Sequence, residues 1–334
     1  MKKRNIVPKL AAAGMLLCAA FILSAQDERY SLVPKGAALV VNLNLGKLYS
    51  SPTFKAAADS GDVLAIRNDL KQIPWNAAGT IPDPVIVYAP RMGSSYAMLV
   101  GTDKTAEQLA ATMKANYGNK KTVESEKNGI GNMITVKYQK TDRKTKKQTM
   151  KTEAEILYLT PHTTAFGRKG NPLDLAFFAG DMLPASEFAF LQNAPANAVA
   201  VGIMRSFPIP ASDDPTGLSA LVKSGDFVLS EYEPGAASLV LNLECKGDNE
   251  ARLAARRLKS FIQITLVTLF SADQSLFKEL NKSYTATNSG SRAKLEIKLA
   301  KASLDRIRAF YLAEKAILSA ADAALEITTG VLKK

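Results

Sequence analysis

Two separate stretches of the chain arrange apolar and polar residues in the same order. They are GSSYAMLVGTDKTAEQLAATMK from Gly93 and GAASLVLNLECKGDNEARLAARRLK from Gly235. Each has a glycine, an apolar run of strand length, a short polar link, and then apolar residues three and four positions apart. This last spacing marks one face of a helix, so each stretch predicts a turn, a strand and an amphipathic helix.

Local signals mark the ends of these helices and the hairpins that follow. Thr105 and Gln108 have the spacing of a capping box, and Asp248 is placed to cap the second helix. Each helix is followed by a strand, a tight turn and a strand, in TVESEKNGIGNMITVKY and YTATNSGSRAKLEIKLA. The Asn-Gly pair at 128–129 and, as a weaker signal, the Ser-Gly pair at 289–290 predict hairpin turns.

The similarity between the two halves extends upstream. AALVVNLNLGKLYSSPTFKAAA from Ala37 and NAVAVGIMRSFPIPASDDPTGLSAL from Asn197 each predict a buried strand, a loop and the start of a helix. Ser51-Pro52 and Asp214-Pro215 are equivalent, each a capping residue followed by proline at the first helical position. Independent runs with similar patterns could mimic such a repeat, but a duplicated unit explains the shared order better.

We therefore predict an α+β fold made of two similar units of mainly antiparallel sheet with helices on one face, plus a long C-terminal helix. The predicted organisation is a signal peptide at 1–25, a first unit with a basic hairpin at 26–185, a second unit at 186–302 and a C-terminal helix at 303–334.

Two segments lie outside the repeat. Residues 136–160 predict two strands joined by a charged tip. In the tail from 303 to 330, apolar residues recur three and four positions apart, which predicts a helix of about 25 residues, or about 37 Å. That helix could pack on the sheet of its own chain or present a face to a partner.

The N-terminus has the layout of a secretory signal, with basic residues before an uncharged apolar run. A lipid anchor at Cys18 is the alternative, but the bulky Leu17 occupies the position where a small residue is needed. Cleavage after Ala25 fits better. We therefore expect an exported protein, periplasmic or secreted, with no transmembrane segment in the mature chain.

The formal net charge of +12 falls to +8 without the signal, which carries four of the 43 basic residues and no acid. The charge is unevenly distributed. Residues 134–153 carry seven basic and two acidic groups, residues 154–250 carry five and twelve, and residues 251–334 carry fifteen and seven. The chain is polarised by segment rather than uniformly basic.

SLVPKGAALVVNLNLGKLYSSPTFK, from Ser31, resembles the start of poorly characterised exported bacterial proteins, in which a proline-led strand precedes a helix introduced by Ser-Pro. The resemblance covers about 25 residues. It implies an envelope location and a duplicated α+β body, and it transfers no catalytic residue.

Few residues are available for cofactor or metal chemistry. His162 is the only histidine, and Cys245 is the only cysteine beyond the signal, which excludes a His-rich or Cys/His zinc site unless carboxylates supply the other ligands. No G-x-S-x-G motif presents a serine nucleophile. Cys245 continues the alternation of leucines in its strand and should point inward as a structural thiol. We predict no metal site, no cofactor and no catalytic residue.

Carboxylates leave one enzymatic alternative, a hydrolase that acts on a glycan with two acidic groups. Asp213 and Asp214 are adjacent, but helix capping explains them. Glu231 and Glu233 are two apart on a predicted strand and so share a face, most simply a solvated one.

The strongest binding candidate is the basic tip. It contains five cations in eight residues: Lys140, Arg143, Lys144, Lys146 and Lys147. The tip could be a solvated loop that prevents edge-to-edge pairing, or it could contact anionic groups on a polymer. The next candidates are Arg252, Arg256, Arg257 and Lys259.

We therefore expect a non-catalytic exported envelope or secreted protein that binds a macromolecular partner, either a protein or an anionic polymer. Nucleic acid fits the charge equally well, but export argues against it as the main partner. The sequence does not indicate an oligomeric state.

Overall fold

The computed structural model describes residues 28–55, 61–78, 80, 85–89, 96–142, 145–168, 172–207, 211–271 and 273–310. The predicted signal peptide at 1–25, with Cys18, lies outside these residues. So does the predicted C-terminal helix from residue 311 onwards.

Among the described residues, twelve strands form one antiparallel sheet in the order β11-β12-β10-β9-β8-β1-β2-β3-β7-β6-β5-β4. The strands are β1 (Leu39–Leu43), β2 (Val85–Ala89), β3 (Ala97–Gly101), β4 (Thr122–Lys127), β5 (Asn132–Thr141), β6 (Gln148–Thr160), β7 (Thr163–Arg168), β8 (Ala198–Met204), β9 (Val222–Glu233), β10 (Ala236–Cys245), β11 (Tyr284–Ser289) and β12 (Arg292–Leu299).

The described α-helices are α1 (Leu45–Ser50), α2 (Gly61–Lys71), α3 (Ala106–Tyr117), α4 (Leu175–Phe178), α5 (Ala189–Gln192), α6 (Asp248–Phe270), α7 (Gln274–Leu280) and α8 (residues 301–310). Helix α3 packs on β4 and β5 near one end of the sheet, and α6 packs on β9 to β12 at the other. Helices and a large antiparallel sheet confirm the α+β class.

Short-range signals in the sequence correctly mark several element ends. The Thr105 hydroxyl accepts from the Gln108 amide, and the Gln108 side chain accepts from the Thr105 amide, so the predicted capping box is present. The side chain of Asn128 accepts from the Gly131 amide at 2.9 Å in the turn between β4 and β5. At the turn between β11 and β12, Gly290 has a φ of +52°, a conformation that favours glycine.

Two predicted helix caps are wrong. Helix α6 has Gly247 as its N-cap, and Asp248 lies inside the first turn, where its carboxylate can still interact favourably with the helix dipole. Asp214 precedes only a short 3₁₀ turn at Leu218–Ala220. Gly217, with a φ of +67°, turns the chain between them and prevents a continuous helix from Pro215.

The sheet and its helices enclose a large apolar core. Trp75 is fully buried, its ring packs edge-on against Phe166 at 5.6 Å, and its indole N–H donates to the Leu70 carbonyl at 2.8 Å. Cys245 is a free, buried thiol, as its strand phase predicts, and burial raises its pKa. Cys245 is therefore placed as a packing residue.

The two predicted units share this sheet, because β1 pairs with β8 from Leu39↔Met204 to Leu43↔Ala200. The predicted boundary at 185/186 falls between β7 and β8 and stays a prediction. Within the described residues, no helix has the length and apolar character needed to span a bilayer.

Candidate anion-binding ribbon

The outer part of the β5–β6 hairpin extends beyond the strands on either side. Strand β4 pairs with β5 only as far as Thr122↔Lys137, and β7 pairs with β6 only from Ala154↔Arg168 onwards. Beyond these points β5 and β6 pair only with each other. We call residues 138–142 and 145–151 the ribbon.

The turn of the ribbon is held by Asp142. Its carboxylate accepts hydrogen bonds from the Thr145 amide at 2.7 Å and the Thr145 hydroxyl at 3.0 Å. Its carbonyl accepts from the Lys146 amide at 2.9 Å. Lys146 has a φ of +59°, a conformation that no other non-glycine residue adopts in the described part of the chain. The Asp142 carboxylate is thus engaged in holding the backbone of the turn.

The strand register brings three lysines to one face of the ribbon. Lys140 is paired with Thr149, and Tyr138 is paired with Lys151. The Asp142 amide donates to the Lys147 carbonyl at 2.9 Å, which continues the ladder. Because side chains alternate between faces, Lys140, Lys147 and Lys151 share a face, with Lys140 diagonal to the other two.

These lysines are exposed and form no ion pair, although Asp142, whose carboxylate holds the turn, lies on the same face opposite Lys147. Within the described residues, no acidic side chain forms an ion pair with Lys140, Lys146, Lys147 or Lys151. By contrast, Lys137, where the ribbon joins the sheet, pairs with Glu124 on β4. Like charges held on one face repel one another, so an anion placed among them would be stabilised.

The structure agrees with the predicted site only in part. Lys140, Lys146 and Lys147 lie on the ribbon, exposed as predicted, whereas Arg143 and Lys144 lie outside the described residues. Sequence analysis missed Lys151, which lies beyond the tip. Counting alternate positions back from the turn would have placed it on the same face as Lys147.

The opposite face of the ribbon is different in character. Met150 is 50% exposed there, and the Gln139 side chain donates to the Gln148 side chain at 2.6 Å. The paired strand positions on this face, residues 139, 141, 148 and 150, carry no cation, so the lysine face is the one suited to anions.

The second basic region, on α6, is only partly available. Arg257 donates to the Gly217 carbonyl at 2.5 Å, and Arg252 donates to the Asn249 side chain at 3.0 Å. Arg256 and Lys259 are exposed and have no ion-pair partner among the described residues. Arg257 therefore has a structural role, and Arg256 and Lys259 are the freer cations of this set.

Among the described residues, the Asp213–Asp214 pair provides no catalytic site. The Asp214 carboxylate accepts from the Ser219 amide at 2.7 Å and from the amide and hydroxyl of Thr216 at 2.9 and 2.5 Å. Burial acts to raise the pKa of Asp214, but these hydrogen bonds outweigh it and lower that pKa. Asp214 is thus a structural acceptor; the Asp213 side chain lies outside the described residues.

Glu231 and Glu233 line an open depression of about 250 Å³ together with Pro52, Tyr232 and Pro234. The Glu231 carboxylate accepts from the Thr53 hydroxyl at 2.5 Å and the Gly235 amide at 2.7 Å. Burial acts to raise the pKa of Glu231, but hydrogen bonds, including those from Thr53 and Gly235, outweigh it and lower that pKa. A general acid at neutral pH needs a raised pKa, so Glu231 is unsuited to that role.

His162 is exposed in the turn between β6 and β7. Its carbonyl accepts from the Thr102 amide at 3.0 Å. Within the described ranges, no three histidine, cysteine, aspartate or glutamate residues are grouped so that they could hold a metal ion.

Comparisons with known proteins give little. The sequence matches no protein-family profile. No curated protein matches it. Among solved structures, the chain is similar to one described as "Structure of crystal form I of TP0453", with a TM-score of 0.40 and 9% identity over 84% of this chain and 96% of that one. A similarity at this level supports no inference about function.

Proposed function

We propose that this protein is a non-catalytic, exported envelope or secreted protein that binds an anionic polymer through the lysine face of the ribbon. The observation that carries the proposal is the set of Lys140, Lys147 and Lys151 on one face, with no acid paired to them within the described residues. A charge cluster that the fold does not neutralise is available to an external anion.

Lysine suits a polymer with irregular anionic groups. Each ammonium is a compact charge on a flexible stem and does not require the fixed bidentate geometry that arginine favours. Single exposed contacts are weak, about 0 to 1 kcal/mol, so binding would depend on several of them acting together. Sulfate, phosphate or carboxylate groups repeated along a chain meet this requirement.

The proposed location rests on the N-terminal sequence. Basic residues, an uncharged apolar run and Ala25 before the first acids support export of the mature chain. Export would bring the ribbon into contact with anionic envelope polymers. The same charge could attract nucleic acid, but an exported protein would rarely meet it.

We also infer that the sheet derives from two similar units, 26–185 and 186–302, followed by a C-terminal helix at 303–334. The strand order supports this inference. Strands β1 and β8 are neighbours in the sheet, and β1-β2-β3 and β8-β9-β10 extend from them in opposite directions. Each half then ends in a hairpin, β5-β4 in the first and β12-β11 in the second. Strands β6 and β7 have no counterpart in the second half. The ribbon therefore depends on a strand that the second unit lacks.

The proposal is tested by measuring the binding of the full chain to heparin and to long-chain polyphosphate from about 50 mM to about 1 M salt. We expect both polymers to bind and both affinities to fall steeply with salt, because the Debye length shrinks from about 10 Å at 0.1 M to about 3 Å at 1 M. Absence of binding at low salt, or affinity that is independent of salt, would contradict the proposal.

A further inference from the structure

Helix α6 has exposed apolar side chains on the side that faces away from the sheet. Among the described residues, six large apolar side chains are 37% or more exposed, and three of them belong to this helix. They are Leu253, Ile264 and Val267, which are 39%, 66% and 50% exposed. A single exposed apolar residue is ordinary, whereas a group of them on one element indicates a contact surface.

The three side chains project from one side of α6. Each residue advances the helix by about 100°, so Leu253 and Ile264 differ in direction by about 20°, and Ile264 and Val267 by about 60°. Val267 points about 180° away from Leu258, which is buried where α6 packs on the sheet. The helix therefore has an apolar outer face, about 21 Å long, opposite the face that it buries.

Positive charge lies beside this outer face. Residues 251–270 carry four cations and no acid. Of these cations, Arg256 and Lys259 are exposed and form no ion pair among the described residues. Arg256 points within about 20° of Val267, and Lys259 lies about 60° to one side of Arg256. The outer face thus presents apolar side chains next to unpaired positive charge.

This combination fits a lipid surface with anionic headgroups better than it fits other occupants. A soluble anionic polymer would contact the cations and leave the apolar side chains in water. An apolar protein surface would bury the cations without neutralising them. At an anionic lipid surface, apolar side chains enter the boundary between headgroups and acyl chains, while long basic side chains reach the headgroups. Both kinds of side chain on α6 would then be satisfied together.

We propose that the outer face of α6 docks on a lipid surface that carries anionic headgroups. Leu253, Ile264 and Val267 enter the surface, and Arg256 and Lys259 contact the headgroups. The buried face of α6 stays packed on β9 to β12, so the helix lies along the surface and does not cross it. The ribbon is formed by β5 and β6 near the other end of the sheet, so this site is separate from the one proposed for polymers and does not depend on it.

Tryptophan quenching tests the proposal. The full chain with Ile264→Trp is mixed with vesicles of phosphatidylglycerol whose acyl chains carry bromine, a quencher that acts only over short distances. We expect the tryptophan introduced at position 264 to lose about half of its emission, relative to vesicles without bromine, because an interfacial helix buries its apolar face about 5–10 Å into the lipid. Trp75, the only native tryptophan, is fully buried and contributes a constant background.

Two other exposed apolar positions provide matched controls. Phe190→Trp on α5 and Met150→Trp on the ribbon should each show little quenching, although the native side chains are 38% and 50% exposed. Quenching at position 150 that equals or exceeds quenching at position 264 would assign the contact to the ribbon and overturn the proposal. Equal quenching at positions 190 and 264 would show that adsorption is not specific to α6 and would also overturn it.

The cations are tested in the same chain. Arg256→Ser with Lys259→Ser, added to Ile264→Trp, should raise the phosphatidylglycerol concentration needed for half-maximal quenching about tenfold. Phosphatidylcholine vesicles should quench only weakly. An absence of quenching at position 264, or the same lipid requirement with and without the two cations, would overturn the proposal. So would short-wavelength emission from position 264 without vesicles, in favour of a second copy if it disappears on dilution and of cover by the same chain if it does not.

Discussion

On β12, every cation forms an ion pair with an acid, whereas Lys140, Lys147 and Lys151 of the ribbon form none among the described residues, even though Asp142 lies opposite Lys147. Arg292 donates to Glu244 at 2.8 Å, and Lys294 and Lys298 contact Glu296 at 3.0 and 2.7 Å. Both surfaces are strand ribbons with exposed basic residues near an end of the same sheet. The two surfaces differ in whether their cations form ion pairs.

The paired acids respond to their cations. The hydrogen bond from Arg292 is the largest influence that lowers the pKa of Glu244, and hydrogen bonds from Lys298 and Lys294 lower the pKa of Glu296. The cations of β12 are therefore already paired with acids of the same surface. The comparison teaches that the number of exposed cations does not identify a binding surface; what matters is how many of them the fold leaves without an acid.

The largest expected effect comes from Gly131, which precedes β5 at the end of the β5–β6 pair opposite the ribbon. A Cβ on Gly131 would lie 2.0 Å from the Tyr158 carbonyl oxygen of β6. Gly131→Ala should therefore separate β5 from β6 and lower the free energy of unfolding by about 3 kcal/mol. Gly290→Ala in the β12 hairpin, where a Cβ meets nothing within 4 Å, should cost only about 1 kcal/mol for its positive φ. Urea unfolding of both variants measures the difference, and equal losses would contradict it.

Cys245→Ala should lower the stability of the fold without changing its affinity for heparin. The thiol is fully buried at the end of β10, so its removal leaves a small cavity that costs about 1 to 2 kcal/mol. Thermal unfolding should show this loss, while heparin affinity should be unchanged because the ribbon is not altered. Rapid thiol labelling of the native chain, or a loss of heparin affinity, would show that Cys245 has another role.

Removing the acids of the β12 surface should make it resemble the ribbon. Glu244→Gln with Glu296→Gln frees Arg292, Lys294 and Lys298 from their ion pairs. We expect the affinity for heparin to increase by roughly threefold to tenfold, since each exposed contact contributes about 0 to 1 kcal/mol. Unchanged affinity would mean that strand cations are not sufficient for binding and that the ribbon contributes something else.

A smaller effect is expected from pH. The pKa values of Glu244 and Glu296 are lowered in the folded chain, so the stability that they contribute is present above the ordinary glutamate pKa and is lost as pH falls through their folded values. Carboxylate NMR titration should show low pKa values for both glutamates, and Arg292→Ser should raise that of Glu244.

Features governed by neighbours in sequence could be predicted. The capping box of α3, the two hairpin turns and the inward phase of Cys245 all depend on residues a few positions apart. The prediction of a helix after Asp214 was wrong for a reason that is also local. Gly217 adopts a positive φ, which the helix propensities of its neighbours do not reveal.

Features that depend on strand pairing could not be predicted. The insertion of β7 and β6 between β3 and β5 separates strands that a simple repeat would place together. Alternation along β6 would have grouped Lys151 with Lys147, but adding Lys140 to their face requires the register of β5 against β6, which includes an irregularity at Val136/Lys137. The pairing of Arg292 with Glu244 joins residues 48 positions apart, so the sequence shows two charges without showing that they cancel.

The central claim is tested most directly by heparin affinity chromatography of two matched triple variants. One carries Lys140→Ser, Lys147→Ser and Lys151→Ser on the ribbon, and the other carries Arg292→Ser, Lys294→Ser and Lys298→Ser on β12. Both lose three positive charges, and both change exposed side chains, so their thermal stabilities should remain close to that of the unaltered chain. We predict that the ribbon variant loses retention at low salt while the β12 variant elutes near the salt concentration of the unaltered chain. Equal losses in the two variants would show that net charge alone governs binding and would contradict the assignment of the ribbon.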